Sequence, residues 1–549
     1  MTEPEAELSP VRHFRQILIW PMLMVRGAGL DPHEPFWMAL EREPGTAGWF
    51  RVADEFNTAP NAFLEKHYKE FVVFLPHVQR FLYGKGRGTA AHAETETPGD
   101  SARRVYRRRD VAALRLVLRA GQAPIDLTVH RVDLCFFDDI DVAFLIIEVY
   151  AENLPLATAL DLLYRFGRVY PTGWNDEGEG VHNALSSEWL DAGGRVLAGS
   201  DVGARDRYLA FTHEHRAPPL SMHWAFLMRP LALDVSDEEA PIRYRQIEYH
   251  RMPLMAYLAV DNPRTIPRDV WVRLGLVATV HPDEAIVSHD PDVADFEARY
   301  CFDRYWVGTE RGPNSRFLCS GRAFILVGEA RDPYFKDDQR GMLAQFRHQY
   351  LLMFLINHLH RATLLTFSDR LADAIHGLDM RDSESVRWFR NRIRDTFESF
   401  LRFTHRYWFH ELSERPHMQA LNRMCAGHLA NDELYAEVKE EIGDMNAYLD
   451  SDAARRTNSL FVRLNVVTVF SIIGTVATGI LGMNLFALAE QPAVIRIAWF
   501  VAALAGVTAI LFGAVMLSSR LSAWMDVLSD DRLPFPKRVL GLCKGKRRE

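Results

Sequence analysis

LNVVTVFSIIGTVATGILGM, residues 464 to 483, is twenty positions without a charged side chain. At about 1.5 Å per residue, a helix over that run is long enough to cross about 30 Å of hydrocarbon. Ile497 to Leu517, IAWFVAALAGVTAILFGAVML, is a second uncharged run of the same kind. Globular cores seldom need two such runs in succession, so the pair reads as two C-terminal transmembrane helices.

The basic residues set the expected orientation. Arg455, Arg456 and Arg463 precede the first run, and eight Lys or Arg residues between Arg520 and Arg548 follow the second. The intervening 484-NLFALAEQPAVIR-496 has only Arg496. Cytosolic flanks collect the positive charge, so the reading is a multi-pass protein of the inner (cytoplasmic) membrane in contact with lipid. Both termini face the cytosol, residues 484–496 form an outer loop, and 518–549 form a basic cytosolic tail.

Two helices cannot wall off a water-filled path, so a pore requires more than one chain. Asn465, Thr468, Ser471, Thr475 and Thr478, with Gly474 and Gly479, make the first run the expected lining. The second run is bulkier and lacks Asn and Gln, which suits an outer ring.

Upstream, residues 1–340 read as a cytosolic α/β (or α+β) domain. Apolar runs 17-ILIWPMLM-24, 127-LTVHRVDLCFF-137, 142-VAFLIIEVY-150 and 270-VWVRLGLVATV-280 read as strands, and 155-PLATALDLLYRFGRVY-170 reads as a helix. Two stretches, near 84–104 and 175–205, are small and polar and read as irregular inserts. Residues 341–430 have helical periodicity and read as a long-helix region. From Asn431, an N-cap residue, the pattern runs through 483 without a helix breaker, as a stalk continuing into the first span.

Composition narrows the function. The chain is 48% hydrophobic and 25% charged with a net charge of −8, and a pI near 6.2 with mean hydropathy −0.13. That balance argues against nucleic acid as a partner, which calls for a basic face. Cys135, Cys301, Cys319, Cys425 and Cys543 form no CxxC pair and read as free thiols in a reducing compartment. The start MTEPEAELSP has no signal-peptide pattern.

Gly482-Met483-Asn484 closes the first run, and Arg456-Thr457-Asn458 stands 26 residues before Asn484. The triplet, the paired C-terminal runs, the long preceding helix and the basic tail resemble the CorA family of magnesium (divalent cation) transporters, whose signature is a Gly-Met-Asn motif in that place. The resemblance covers roughly 430 to 520. It implies a homopentameric, CorA-like funnel with an N-terminal α/β domain.

On that resemblance, Gly482, Met483 and Asn484 form the ion selectivity site. Magnesium sheds its octahedral water shell reluctantly, so a ring of neutral Asn484 carboxamides suits the hydrated ion. Asn458, Phe461 or Leu464, Asn465, Thr468, Ile472, Thr475 and Gly479 lie on one stripe at spacings of three and four and read as pore-lining, with Leu464 and Ile472 as the hydrophobic constriction. The implied activity is passive Mg2+ transport, with Mg2+ as cargo and as regulator.

Departures limit what is carried over. Leu481 and Leu485 stand where family members have an aromatic residue and Phe, and the acidic outer loop is reduced to Glu490. Zn2+, Co2+ or Ni2+ transport therefore stays open, as does a membrane-tethered scaffold or sensor without conduction.

Asp138, Asp139 and Asp141 are a candidate regulatory metal site by the same resemblance, or a hairpin turn. The stalk acids from Asp432 to Asp452 read as ion-attracting or as a solvated face. His281, Asp283, Glu284, His289, Asp290 and Asp292 form a possible metal loop interrupted by Pro282 and Pro291. His410-Glu411 lacks the second His of a zinc-protease helix, since position 414 is Glu. No catalytic arrangement is recognisable, and the expectation is that the chain is not an enzyme.

Overall fold

The structure is a computed structural model. It describes residues 10–27, 30–31, 34–42, 48–52, 65–84, 101–248, 251–278, 290–306, 314–379 and 383–482, with isolated positions between 492 and 509. The chain divides into two compact units, Met1–Glu441 and Ile442–Glu549.

Among the described residues, the first unit is organised on one mixed sheet of 14 strands. Its centre is the strand Val11–Arg26, paired antiparallel with Ile140–Leu154 over most of its length. Ile140–Leu154 pairs in turn with Ile125–Phe137. On the other side, Val11–Leu18 pairs with Leu254–Val260, which runs parallel to Ala323–Glu329. Strands buried on both faces read as near-continuous apolar runs, and Phe14, Ile17, Leu18, Ile19 and Trp20 have no exposed surface.

Pro21 sits inside this central strand, where a missing N–H ordinarily breaks a ladder. The partner changes at that point. Leu254–Val260 ends its pairing at Leu18, and Ile242–Gln246 begins its own at Met22. Pro21 occupies the gap and loses no bond on that side.

The helix Leu351–His376 packs on the strands Val11–Arg26 and Ile140–Leu154 with most of its first half buried. It follows directly on a short helix Met342–Gln345 and a π-helical turn Phe346–Tyr350. Helices Ser383–Arg406 and Pro416–His428 pack beside it.

The structure corrects the sequence reading at three places. The two expected transmembrane helices are not found: among the described residues, no helix is long and apolar enough to cross a membrane. A span needs about 20 consecutive apolar residues. Residues 464–482 are the far end of a 52-residue helix, Asn431–Gly482, whose earlier part is rich in charged residues from Asp432 to Arg463. The run 497–517 lies mostly outside the described residues. The funnel implied with those spans falls with them.

Second, of the expected strand 270-VWVRLGLVATV-280, the described residues 270–278 form no strand. Arg268–Leu276 is a helix started by Pro267, with Val270, Trp271 and Leu274 buried at helical spacing. Tertiary packing overrides the preference of β-branched residues. Third, residues 175–205 contain the hairpin Ser186–Leu190 and Val196–Gly199, joined to the sheet through Ala113–Val117. The buried Trp189 anchors it, and the Asp191 carboxylate organises its turn by accepting from the N–H groups of Gly193 and Arg195, both at 2.9 Å.

Candidate functional site

The helix Asn431–Gly482 carries every residue assigned to a pore except Met483 and Asn484, which lie outside the described residues. Its start is fixed by Asn431, 1% exposed, whose amide donates to the Asn357 carbonyl at 3.0 Å. Ala430, at φ 52, turns the chain into it from the preceding helix. Asp432 and Glu433 in the first turn suit the positive end of the helix dipole. Tyr435 stacks on Trp408 with centroids 4.5 Å apart and on Phe400 at 5.7 Å. Six residues on, burial and then the Glu437 charge raise the Glu441 carboxyl above its ordinary value.

Further along, the backbone is helical from Asn458 to Gly482, so those residues are separated by about 36 Å at ~1.5 Å per residue. Asn465, Thr468, Ile472, Thr475 and Gly479 recur at three or four positions and, with Asn458 seven before Asn465, share one helix stripe. Leu464 is 60% exposed, and Asn465 and Gly479 are exposed. Thr468 and Thr475 are exposed too, but their hydroxyls donate back to the carbonyls of Leu464 and Ser471, each at 2.8 Å. A hydroxyl used this way keeps its lone pairs available as acceptors. The side chains of Asn458 and Ile472 lie outside the described residues, and Gly482 is the final helical residue.

Asp138 and Asp139 form the turn between Ile125–Phe137 and Ile140–Leu154, with Asp139 at φ 58. Asp141 follows one residue into the second strand. The fold gives each of the three carboxylates its own arginine. Arg406 pairs with Asp139, Arg370 with Asp141, and Arg104 Nε lies 3.8 Å from Asp138. A divalent ion here would have to displace guanidinium groups. Among the described residues, no group of three or more His, Cys, Asp or Glu is arranged to hold a metal ion. Of the loop 281–292, residues 281–289 lie outside the described residues, and Asp290 and Asp292 are in the helix Asp290–Tyr300.

A buried charge cluster lies apart from the residues singled out in the sequence. Glu148, fully buried in the central sheet, faces Arg15, Arg131 and Arg347. Arg347 donates to it at 2.7 Å. Arg131 Nε also lies 2.7 Å away, but off the line of a hydrogen bond, so that contact is charge attraction. Burial alone would raise the Glu148 carboxyl; Arg131, Arg347 and Arg15 together hold it well below the usual carboxylate range. His130, beside Arg347, is pushed down to about 4 by burial and then by the neighbouring arginines. The signal in sequence was one acid inside the apolar run 142-VAFLIIEVY-150, where a charge must find a partner.

No family model matches the chain, and no curated protein matches it.

Proposed function

We propose that self-associated copies of this chain pass divalent cations, magnesium first, passively across a membrane, with Asn484 as the filter for the hydrated ion. The observation that carries the reading is the triplet Gly482-Met483-Asn484, set 26 residues beyond Arg456-Thr457-Asn458. The uninterrupted helix from Asn431 to Gly482 supports it, because it carries Arg456-Thr457-Asn458 and the first residue of the triplet, Gly482, on one helix. The reading rests on the triplet and its spacing and assigns no membrane span to the described helices.

Neutral amide and hydroxyl oxygens fit the ion chemistry. A hydrated magnesium ion presents water hydrogens outward, and carboxamide oxygens accept from them without stripping the shell. Among the described residues, Asn465, Thr468 and Thr475 of the same helix likewise offer neutral oxygens to a hydrated ion.

Purified wild-type protein in liposomes, with an internal metal-sensitive dye and an inside-negative potential, tests the reading. Magnesium, zinc, cobalt and nickel are offered in turn. Influx of magnesium ahead of the others is expected, and no influx of any of the four would sink the proposal.

A further inference from the structure

The first unit holds a cavity of about 300 Å³ whose walls come from three separate parts of the sequence. Lys69 enters from the helix Glu65–Phe71, and Tyr334 and Arg340 from the segment after the strand Ala323–Glu329. His348 and Gln349 come from the π-helical turn Phe346–Tyr350, and Arg415 from the residue before the helix Pro416–His428.

Its lining is cationic, and two of the three cations share one acid just outside the lining. Lys69, Arg340 and Arg415 line the cavity, and among the described residues no carboxylate does. Nearby acids are already engaged. Glu65 is shared between Lys69 at 3.0 Å and Arg340 at 2.6 Å. Glu70 lies 2.6 Å from His348 and accepts from the Tyr83 hydroxyl at 2.6 Å. Asp337 accepts from the N–H groups of Gln339 and Arg340 at 2.8 and 3.1 Å. Arg415 has no carboxylate within ion-pair distance among the described residues.

A second observation concerns the back wall. Gln349 is 6% exposed, and its side-chain oxygen has no hydrogen-bond partner. That oxygen is enclosed by protein and does not reach the cavity, so the other end of the amide, which can be turned to present N–H₂ or C=O, is the one able to meet a ligand. His348 and Gln349 both belong to the π-helical turn, and such turns are frequent at functional sites.

We propose that this cavity binds an organic phosphate of about mononucleotide size, unconnected with the transport reading. Lys69, Arg340 and Arg415 hold the phosphate oxygens, arginine forks matching their geometry. Gln349 meets a polar group of the ligand. The Tyr334 ring, 53% exposed at the rim, gives a flat surface for stacking a base. The volume lies at the lower end of the range for small-molecule pockets.

The test uses the full-length protein in magnesium-free buffer with EDTA, and calorimetric titration with ADP, inorganic phosphate and adenosine. ADP is expected to bind, phosphate to bind more weakly, and adenosine not to bind. Arg415→Gln should weaken ADP binding about tenfold or more, the loss expected for one charge-assisted contact. Arg268→Gln, whose arginine pairs with Glu297 elsewhere, should leave binding unchanged. If the Arg415 variant fails to fold, protection of Lys69 from acylation by ADP in the wild type is the readout. Absence of ADP binding, ADP binding that Arg415→Gln does not weaken, or failure of ADP to protect Lys69 would overturn the proposal.

Discussion

Arg347 and Glu148 are 199 residues apart in sequence and 2.7 Å apart in the fold. This contact ties the π-helical turn Phe346–Tyr350 to the middle of the sheet. Removing one partner of a buried ion pair leaves the other charged and unpaired, at a cost of about 3–5 kcal/mol. Glu148→Ala strands three arginines and should lower unfolding free energy by that order. Urea denaturation of the full-length protein checks it, and a loss under about 1 kcal/mol would show that the cluster behaves like a surface pair.

The buried histidines set a pH dependence. Burial pushes His223 down to about 3 and His358 and His360 down to about 4. His360 donates to the Tyr407 carbonyl at 2.6 Å, and His358 donates to that of Gly321 at 3.2 Å. Unfolded histidine titrates near 6.5, so these depressed groups give their full stability above that pH. The contribution is lost as pH falls from about 6.5 towards 4. Denaturation midpoints should be clearly lower at pH 5 than at pH 7. Equal midpoints would mean that these side chains are already hydrated or charged in the native state.

Glu148 adds to the loss further down. Its carboxyl is held low, so its contribution is complete above the unfolded value near 4.3 and is lost as pH falls below it. Glu148→Gln should flatten the stability profile below about pH 4 while leaving the histidine-linked step in place. A profile unchanged by the substitution would place the acid sensitivity elsewhere.

At Gly328, a Cβ would lie 2.2 Å from the Phe335 ring. That ring cannot yield easily, because it stacks on Tyr257 with centroids 4.6 Å apart. Gly328→Ala should cost about 1–3 kcal/mol by overpacking. A neutral result in thermal unfolding would show that Phe335 has another place to go.

The parts of the fold legible in sequence are those where burial and periodicity agree. The runs 17–24, 127–137 and 142–150 carry the apolar side chains that the sheet buries on both faces, and 155–170 carries the helix Leu156–Arg165, ended at Gly167 with φ 93. Val270–Val280 misled because a buried helix and a buried strand have the same composition, and only Pro267 ahead of it marks a helix start. The hairpin around Trp189 was hidden by the polar turn that joins its strands. At the candidate sites, the acids Asp138, Asp139 and Asp141 were visible, but Arg104, Arg370 and Arg406 arrive from distant segments. The cavity between Lys69 and Arg415 was hidden for the same reason, since its cations are neighbours only after folding.

Magnesium influx into liposomes carrying Asn484→Ala, beside wild type reconstituted to equal density, tests the transport reading most directly. The reading predicts influx in the wild type and a fall of about tenfold or more in the variant, equivalent to ~1.4 kcal/mol of lost selectivity or barrier lowering. Equal magnesium influx through both proteins would contradict it.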